Sequence, residues 1–153
     1  MKLSDIMRYM LYDSNSDKVL LEKEIEYLES FIELNELRLK EGKFVDMDTA
    51  GDVQFKMIPP LLLVPFVENA FKHGRKKYRI PGIIIRLDVS GTGLDFDIRN
   101  YMPAAISINK DQQGGIGLEN VRKRLEMIYP GSYSLTIDRT SEEFHVHLTL
   151  ERL

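Results

Sequence analysis

Two period-two runs limit the fold of this chain more than any other feature. Ile83-Ile84-Ile85-Arg86-Leu87-Asp88-Val89 and Leu94-Asp95-Phe96-Asp97-Ile98 flank Ser90-Gly91-Thr92-Gly93, and that combination reads as a β-hairpin. A second strand pair closes the chain, Tyr133 to Asp138 and Phe144 to Leu150, with Phe144, Val146, Leu148 and Leu150 on one face. Alternation puts His145 and His147 on the other face, which is expected to be solvated. Helical patterns separate these pairs. Leu61 to Lys72 reads as a helix, kinked or restarted at Pro65 and stopped by Gly74. Leu118 to Tyr129 reads as another, ended by Pro130-Gly131. An extended stretch with alternation at Val53, Phe55 and Met57 leads into Pro59-Pro60. This order predicts a mixed sheet with helices gathered on one face.

The N-terminal part differs in character. From Asp17 to about Lys40 the chain is charged and helical, with Leu21, Ile25, Leu28, Ile32 and Leu39 at heptad spacing and Asn35 in the remaining slot. Leu20, Tyr27, Phe31 and Leu34 form a second stripe, which widens the apolar face toward bundle packing. At about 1.5 Å per residue this helix would be roughly 35 Å long. Leu3 to Tyr12 reads as the end of a preceding helix, with Asp13 to Asp17 as the polar turn.

Composition narrows the function. A formal charge of −3 over 153 residues, with no dominant basic stripe, argues against nucleic acid as a partner. The one cationic cluster, Lys72, Arg75, Lys76, Lys77 and Arg79, reads either as a solvated loop or as a phosphate-facing group. Without cysteine there is no disulfide and no thiolate metal site, which suits a reducing setting. His73, His145 and His147 are too scattered in sequence to suggest zinc. The longest apolar run, Ile58 to Val67, is interrupted by three prolines and is far shorter than the ~20 residues a spanning helix needs. Met1-Lys2-Leu3-Ser4 lacks the apolar core of a signal peptide, so a soluble piece is expected.

Two stretches carry chemistry. Glu68-Asn69-Ala70-Phe71-Lys72-His73-Gly74 sets an acid, an amide and a base on one helix, and Gly114-Gly115-Ile116-Gly117-Leu118-Glu119-Asn120-Val121 runs from a glycine loop into a helix start. A nucleotide site needs an oxygen ligand for Mg²⁺, a cation near the phosphates and backbone N–H groups free of a neighbouring Cβ. These stretches offer all three.

On those residues the chain resembles the LytS-like sensor histidine kinases and their GHKL-type ATP-binding domain. Ile58-Pro59-Pro60-Leu61 through Val67 to Gly74 is similar to the family's N box, and Gly115 to Val121 to its second glycine box. The resemblance implies an α+β fold of GHKL (Bergerat) type. That is a two-layer α/β sandwich with helices on one face of a mixed sheet, preceded by a helical hairpin. Residues 1–42 would then be partial dimerisation and phosphotransfer helices, and 43–153 the catalytic domain. It implies Mg²⁺ on Asn69, a catalytic Glu68, phosphate neutralisation by Lys72 and a donor from His73. Lid closure would involve Gly115, Gly117 and Leu118, with ATP and Mg²⁺ as the bound species.

Where the family places a base-binding aspartate followed by glycines, this chain reads Ile98-Arg99-Asn100-Tyr101-Met102-Pro103, with Asn100 the best match. No residue matches the family's phosphoacceptor histidine, which is expected upstream of Leu3. The implied partners are a response regulator and a second copy of the chain joined through the N-terminal helices. Membrane contact would occur only through regions absent from this sequence, making this the cytoplasmic domain of a membrane-attached sensor. The alternatives are a non-catalytic GHKL interaction module and an anti-sigma-type GHKL kinase.

Overall fold

A computed structural model describes residues 9, 16–39, 43–73, 80–101 and 116–153. The helix expected over Leu3 to Tyr12 (apart from Tyr9), most of the following turn, Gly74, the basic run from Arg75 to Arg79, and Gly114-Gly115 lie outside them. In chain order the elements are β1 (Val19–Leu20), α1 (Leu21–Leu39), β2 (Val45–Gly51), β3 (Met57–Ile58), α2 (Val64–His73), β4 (Ile83–Ser90), β5 (Gly93–Tyr101), α3 (Ile116–Ile128), β6 (Tyr133–Arg139) and β7 (Glu143–Leu150).

Five strands form one mixed sheet in the order β2-β4-β5-β7-β6, with β2 parallel to β4 and every other pair antiparallel. The expected hairpin is β4–β5. Its two turn residues are Gly91 and Thr92, and Gly91 has φ 58°, at the position where a type II′ turn takes glycine. Along β4, β5 and β7 every second residue is buried. Ile83, Ile85, Leu87, Leu94, Phe96, Ile98, Val146 and Leu148 face the helices, while Arg86, Asp97, Arg99, His145 and His147 lie on the other face. The layers are thus one sheet and one set of helices, as the patterning predicts.

Strand β2 is not where the sequence suggests. Of Val53, Phe55 and Met57 only Met57 lies in a strand, the short β3, and Phe55 sits in a turn with φ 58°, 88% exposed. The strand is Val45–Gly51 instead, whose aspartates and small residues hide it from a propensity reading. Helix α1 starts at Leu21 rather than Asp17, because Val19 and Leu20 pair with Ile58 and Met57 as a two-stranded ribbon, and the Leu21 amide donates to the Lys56 carbonyl at 2.8 Å. Helix α2 starts at Val64, three residues later than expected. Leu61 has φ 55°, which a helix cannot use, and Pro65 falls in the first turn, where its missing N–H costs nothing.

The heptad stripe of α1 is covered within the chain. Leu21, Ile25, Leu28 and Ile32 are buried in the same core as the sheet, and α1 packs on α2. An aromatic series joins the two helices, with ring centroids 4.8 Å apart for Tyr9–Tyr27, 6.5 Å for Tyr27–Phe31, and 6.3 Å for both Phe31–Phe71 and Phe71–Phe44. Phe44 lies flat against Gly82, where an added Cβ would stand 2.0 Å from the ring. Gly82→Ala is therefore expected to destabilise by about 1–3 kcal/mol through overpacking, read as a lower urea midpoint at unchanged slope. A midpoint equal to that of the unaltered chain would mean that Phe44 moves aside freely.

Candidate functional site

Helix α2, which carries Glu68, Asn69, Lys72 and His73, packs on β5, which carries Asn100, and on α3, which carries Gly117 and Leu118. Its buried stripe, Val64, Phe66, Val67 and Ala70, faces the core. The remaining positions place Glu68 and Lys72 at the surface and leave Asn69 and His73 half-buried. Asn69 and Lys72 are three residues apart and so share a helix face.

Asn100 stands in a row that crosses the whole sheet: Val45, Ile83, Asn100, Phe144 and Arg139 are consecutive register partners on β2, β4, β5, β7 and β6. It falls in the sequence of buried residues Leu94, Phe96 and Ile98, so it points toward the helices. The side chain is 1% exposed, and its Nδ2 has no hydrogen-bond partner among the described residues. A buried amide donor without an acceptor costs about 1–3 kcal/mol, so it marks a position built to meet something.

Helix α3 starts at Ile116, with Gly117 exposed and Leu118 buried in the core. Nothing lies within 4 Å of a Cβ placed on Gly117. The helix start is therefore anchored by Leu118 and open beside Gly117. Gly115 lies outside the described residues.

The electrostatics at the end of α2 favour anions. Burial, then Lys72, then Arg139 push His73 below the usual histidine range, which keeps it neutral beside two cations. A positively charged helix cap is thus not the state of His73 at neutral pH. Arg139, at the end of β6, is a functional candidate that sequence reading misses, since a residue at a hairpin end gives no periodic signal. Glu68, one turn before Lys72 on the same face, also reaches toward α1: burial first, then the Glu68 and Glu24 carboxylates, raise the Tyr27 phenol. Glu68 is therefore electrostatically close to α1.

The buried carboxylate of Glu24 was also not legible. It is 0% exposed and accepts from the Tyr9 hydroxyl at 2.5 Å, the Leu61 amide at 2.9 Å and the Leu63 amide at 3.2 Å. In this way α1 holds the turn that leads into α2. The histidines also depart from expectation. His73 is alone among them, but His145 and His147 converge with Asp97 on the solvated face of the sheet.

Comparison with known proteins adds to this geometry. The family model described as Histidine kinase matches residues 1–44. The chain is 24% identical to the sensor protein LytS of Staphylococcus saprophyticus over 98% of its own length and 27% of that protein's. It is 25% identical to the sensor protein kinase HptS of Staphylococcus aureus over 87% of its own length and 27% of that protein's. It thus spans about a quarter of the length of these curated relatives. Among solved structures, the catalytic domain of histidine kinase ThkA superposes with a TM-score of 0.59 at 16% identity, covering 88% of this chain and 94% of that one. The histidine kinase domain of the Erythrobacter litoralis EL346 blue-light activated kinase does so with a TM-score of 0.54 at 16% identity, covering 82% and 63%. By sequence the chain is similar to the sensor protein LytS and the sensor protein kinase HptS, and its fold is like that of the histidine kinase catalytic domains of known structure.

Proposed function

We propose that residues 43–153 are the ATP-binding catalytic domain of a two-component sensor histidine kinase, with residues 1–42 contributing to its dimerisation and phosphotransfer helices. In the full-length protein the γ-phosphoryl group would go to a histidine upstream of this sequence, and from there to a response regulator. The observation that carries this reading is the buried Nδ2 of Asn100 on β5, which has no hydrogen-bond partner among the described residues. An amide offers a donor and an acceptor side by side, which suits the ring nitrogen and exocyclic amine of adenine.

The other residues fit the remaining parts of Mg-ATP. The Asn69 amide oxygen suits Mg²⁺, a hard ion that takes oxygen ligands. Lys72 neutralises phosphate charge near that oxygen, and neutral His73 donates one further hydrogen bond. Glu68, exposed on the same helix, orients or deprotonates the attacking group. Gly115 and Gly117 allow close approach of the lid backbone, Leu118 anchors it, and the start of α3 adds its N-terminal dipole. When bound, Mg-ATP supplies the phosphoryl group; the chain supplies position and charge. A homodimer through the N-terminal helices belongs to the same reading and would use surface other than Ile25, Leu28 and Ile32, which the core occupies. Attachment to a membrane, through parts of the protein outside this sequence, follows from the same relationship.

Calorimetric titration with a non-hydrolysable ATP analogue tests the reading, comparing the chain with Asn100→Leu. The variant is expected to bind at least about 10-fold more weakly, the loss of one well-formed hydrogen-bonded contact. It is also expected to be more stable by about 1 kcal/mol or more, because it removes an unsatisfied buried donor. Equal affinity in the two proteins would remove Asn100 from the site. No binding by either would favour the non-catalytic module.

A further inference from the structure

The sheet face away from the helices carries a second convergence of polar groups, independent of the nucleotide reading. His145 and His147 are alternate residues on β7, and Asp97 is the register partner of His147 on β5. Each offers one ligand atom, and those atoms lie within 4.8 Å of one another. His147 Nδ1 is 3.3 Å from Asp97 Oδ2, and His145 Nε2 bonds the same oxygen.

The hydrogen bonds around His147 decide which nitrogen is free. The Thr149 hydroxyl donates its only proton to Asp95 Oδ1 at 2.8 Å. Toward His147 Nε2, 3.2 Å away, it can therefore only accept, so Nε2 carries the hydrogen. Asp95 Oδ1 lies 3.4 Å from the same nitrogen and favours that tautomer. In neutral His147 the Nδ1 lone pair then faces the Asp97 carboxylate oxygen 3.3 Å away, and a cation held by both would satisfy each. Carboxylate-oriented histidine is a common support for a metal ligand. Tetrahedral bonds of about 2.0–2.1 Å place neighbouring ligand atoms about 3.3 Å apart, which matches the His147–Asp97 separation. His145 Nε2, which hydrogen-bonds Asp97 Oδ2 directly, would exchange that bond for one to the ion. Arg99 Nε holds the other carboxylate oxygen of Asp97 at 3.0 Å and keeps it oriented.

We propose that Asp97, His145 and His147 form a site for a divalent transition metal ion of the Zn²⁺ type on the outer face of the sheet. Two imidazoles and one carboxylate select such an ion over Mg²⁺ and Ca²⁺, which prefer all-oxygen ligands. The three side chains are 20–41% exposed, so the ion reaches the site directly and keeps a position open to water. The surroundings are acidic on balance: Asp138 faces His145 and Asp88 faces Asp95 in register, against Arg86 and Arg99.

The test uses the chain without an affinity tag, stripped by chelator, and titrated with Zn²⁺ by calorimetry and with Co²⁺ by visible absorption. About one equivalent is expected to bind, with Co²⁺ bands characteristic of low coordination number. His147→Ala and Asp97→Asn should each weaken binding more than about 10-fold. His73→Ala should leave it unchanged. Asp97→Asn preserves shape and guards against a folding artefact, with circular dichroism checking each variant. Failure of the chain to bind either ion, or binding that survives His147→Ala or is lost in His73→Ala, would overturn the assignment.

Discussion

Replacing Glu24 by alanine is expected to cost about 3–5 kcal/mol, a large part of the roughly 5–15 kcal/mol that holds a domain of this size together. The carboxylate is fully buried and accepts closely from three donors, the Tyr9 hydroxyl and the Leu61 and Leu63 amides, with the Leu62 backbone a weaker fourth. Alanine leaves those donors without water or a partner, at about 1–3 kcal/mol each before relaxation. The loss is concentrated where the backbone is already strained, since Leu61 is held at φ 55°. A midpoint shift of Glu24→Ala worth less than about 1 kcal/mol in urea would sink this account.

Glu24→Gln separates charge from shape. Burial raises the Glu24 pKa above 4.5, outweighing the hydrogen bonds from Tyr9, Leu61, Leu63 and Leu62 that lower it. The folded state thus holds its proton more tightly than the unfolded state. This contribution to stability is fully present below about pH 4.5 and is lost as pH rises through the raised value. Glutamine does not titrate, so the variant should lack that loss. A Glu24→Gln stability curve parallel to that of the unaltered chain across this window would count against it.

The second large effect is expected at Asn69. If its amide oxygen holds Mg²⁺, Asn69→Ala should weaken magnesium-dependent nucleotide binding by about 2–3 kcal/mol, roughly 30- to 150-fold. Binding measured without Mg²⁺ should change little, and stability should hold, because alanine suits a half-buried helix position. The contrast between the two metal conditions is the diagnostic. An equal loss in both would assign Asn69 to the nucleotide itself or to packing. No loss in either would remove it from the site.

Much of this was legible because period and chemistry agreed. The β4–β5 hairpin follows from alternation and its Ser90-Gly91-Thr92-Gly93 turn, and the β6–β7 hairpin from alternation alone. The α2 segment follows from an apolar stripe that leaves Glu68, Asn69 and Lys72 on its polar side. What was hidden depended on distant pairing. Strand β2 is defined by its parallel partner β4 and not by its own residues. Glu24 reads as one more charge on an acidic helix until the turn at Leu61 closes over it. Asp97 sits some fifty residues from His145 and His147, so only the strand register reveals that they share a face. Asn100 gave the opposite case: its type and position were visible, but its burial and unpaired nitrogen were not.

Among the described residues the strand order leaves two rims, β2 and β6, with no strand on their outer sides. Both rims are guarded by charge: Asp46, bridged to Arg86 at 2.6 Å, and Asp48 on β2, and Asp138 and Arg139 on β6. A foreign strand adding to either rim would have to strip water from these groups, which discourages amyloid-like stacking of one copy on another. Lateral growth of the sheet is thereby disfavoured, so that crowding of copies of the chain does not recruit the sheet into an aggregate.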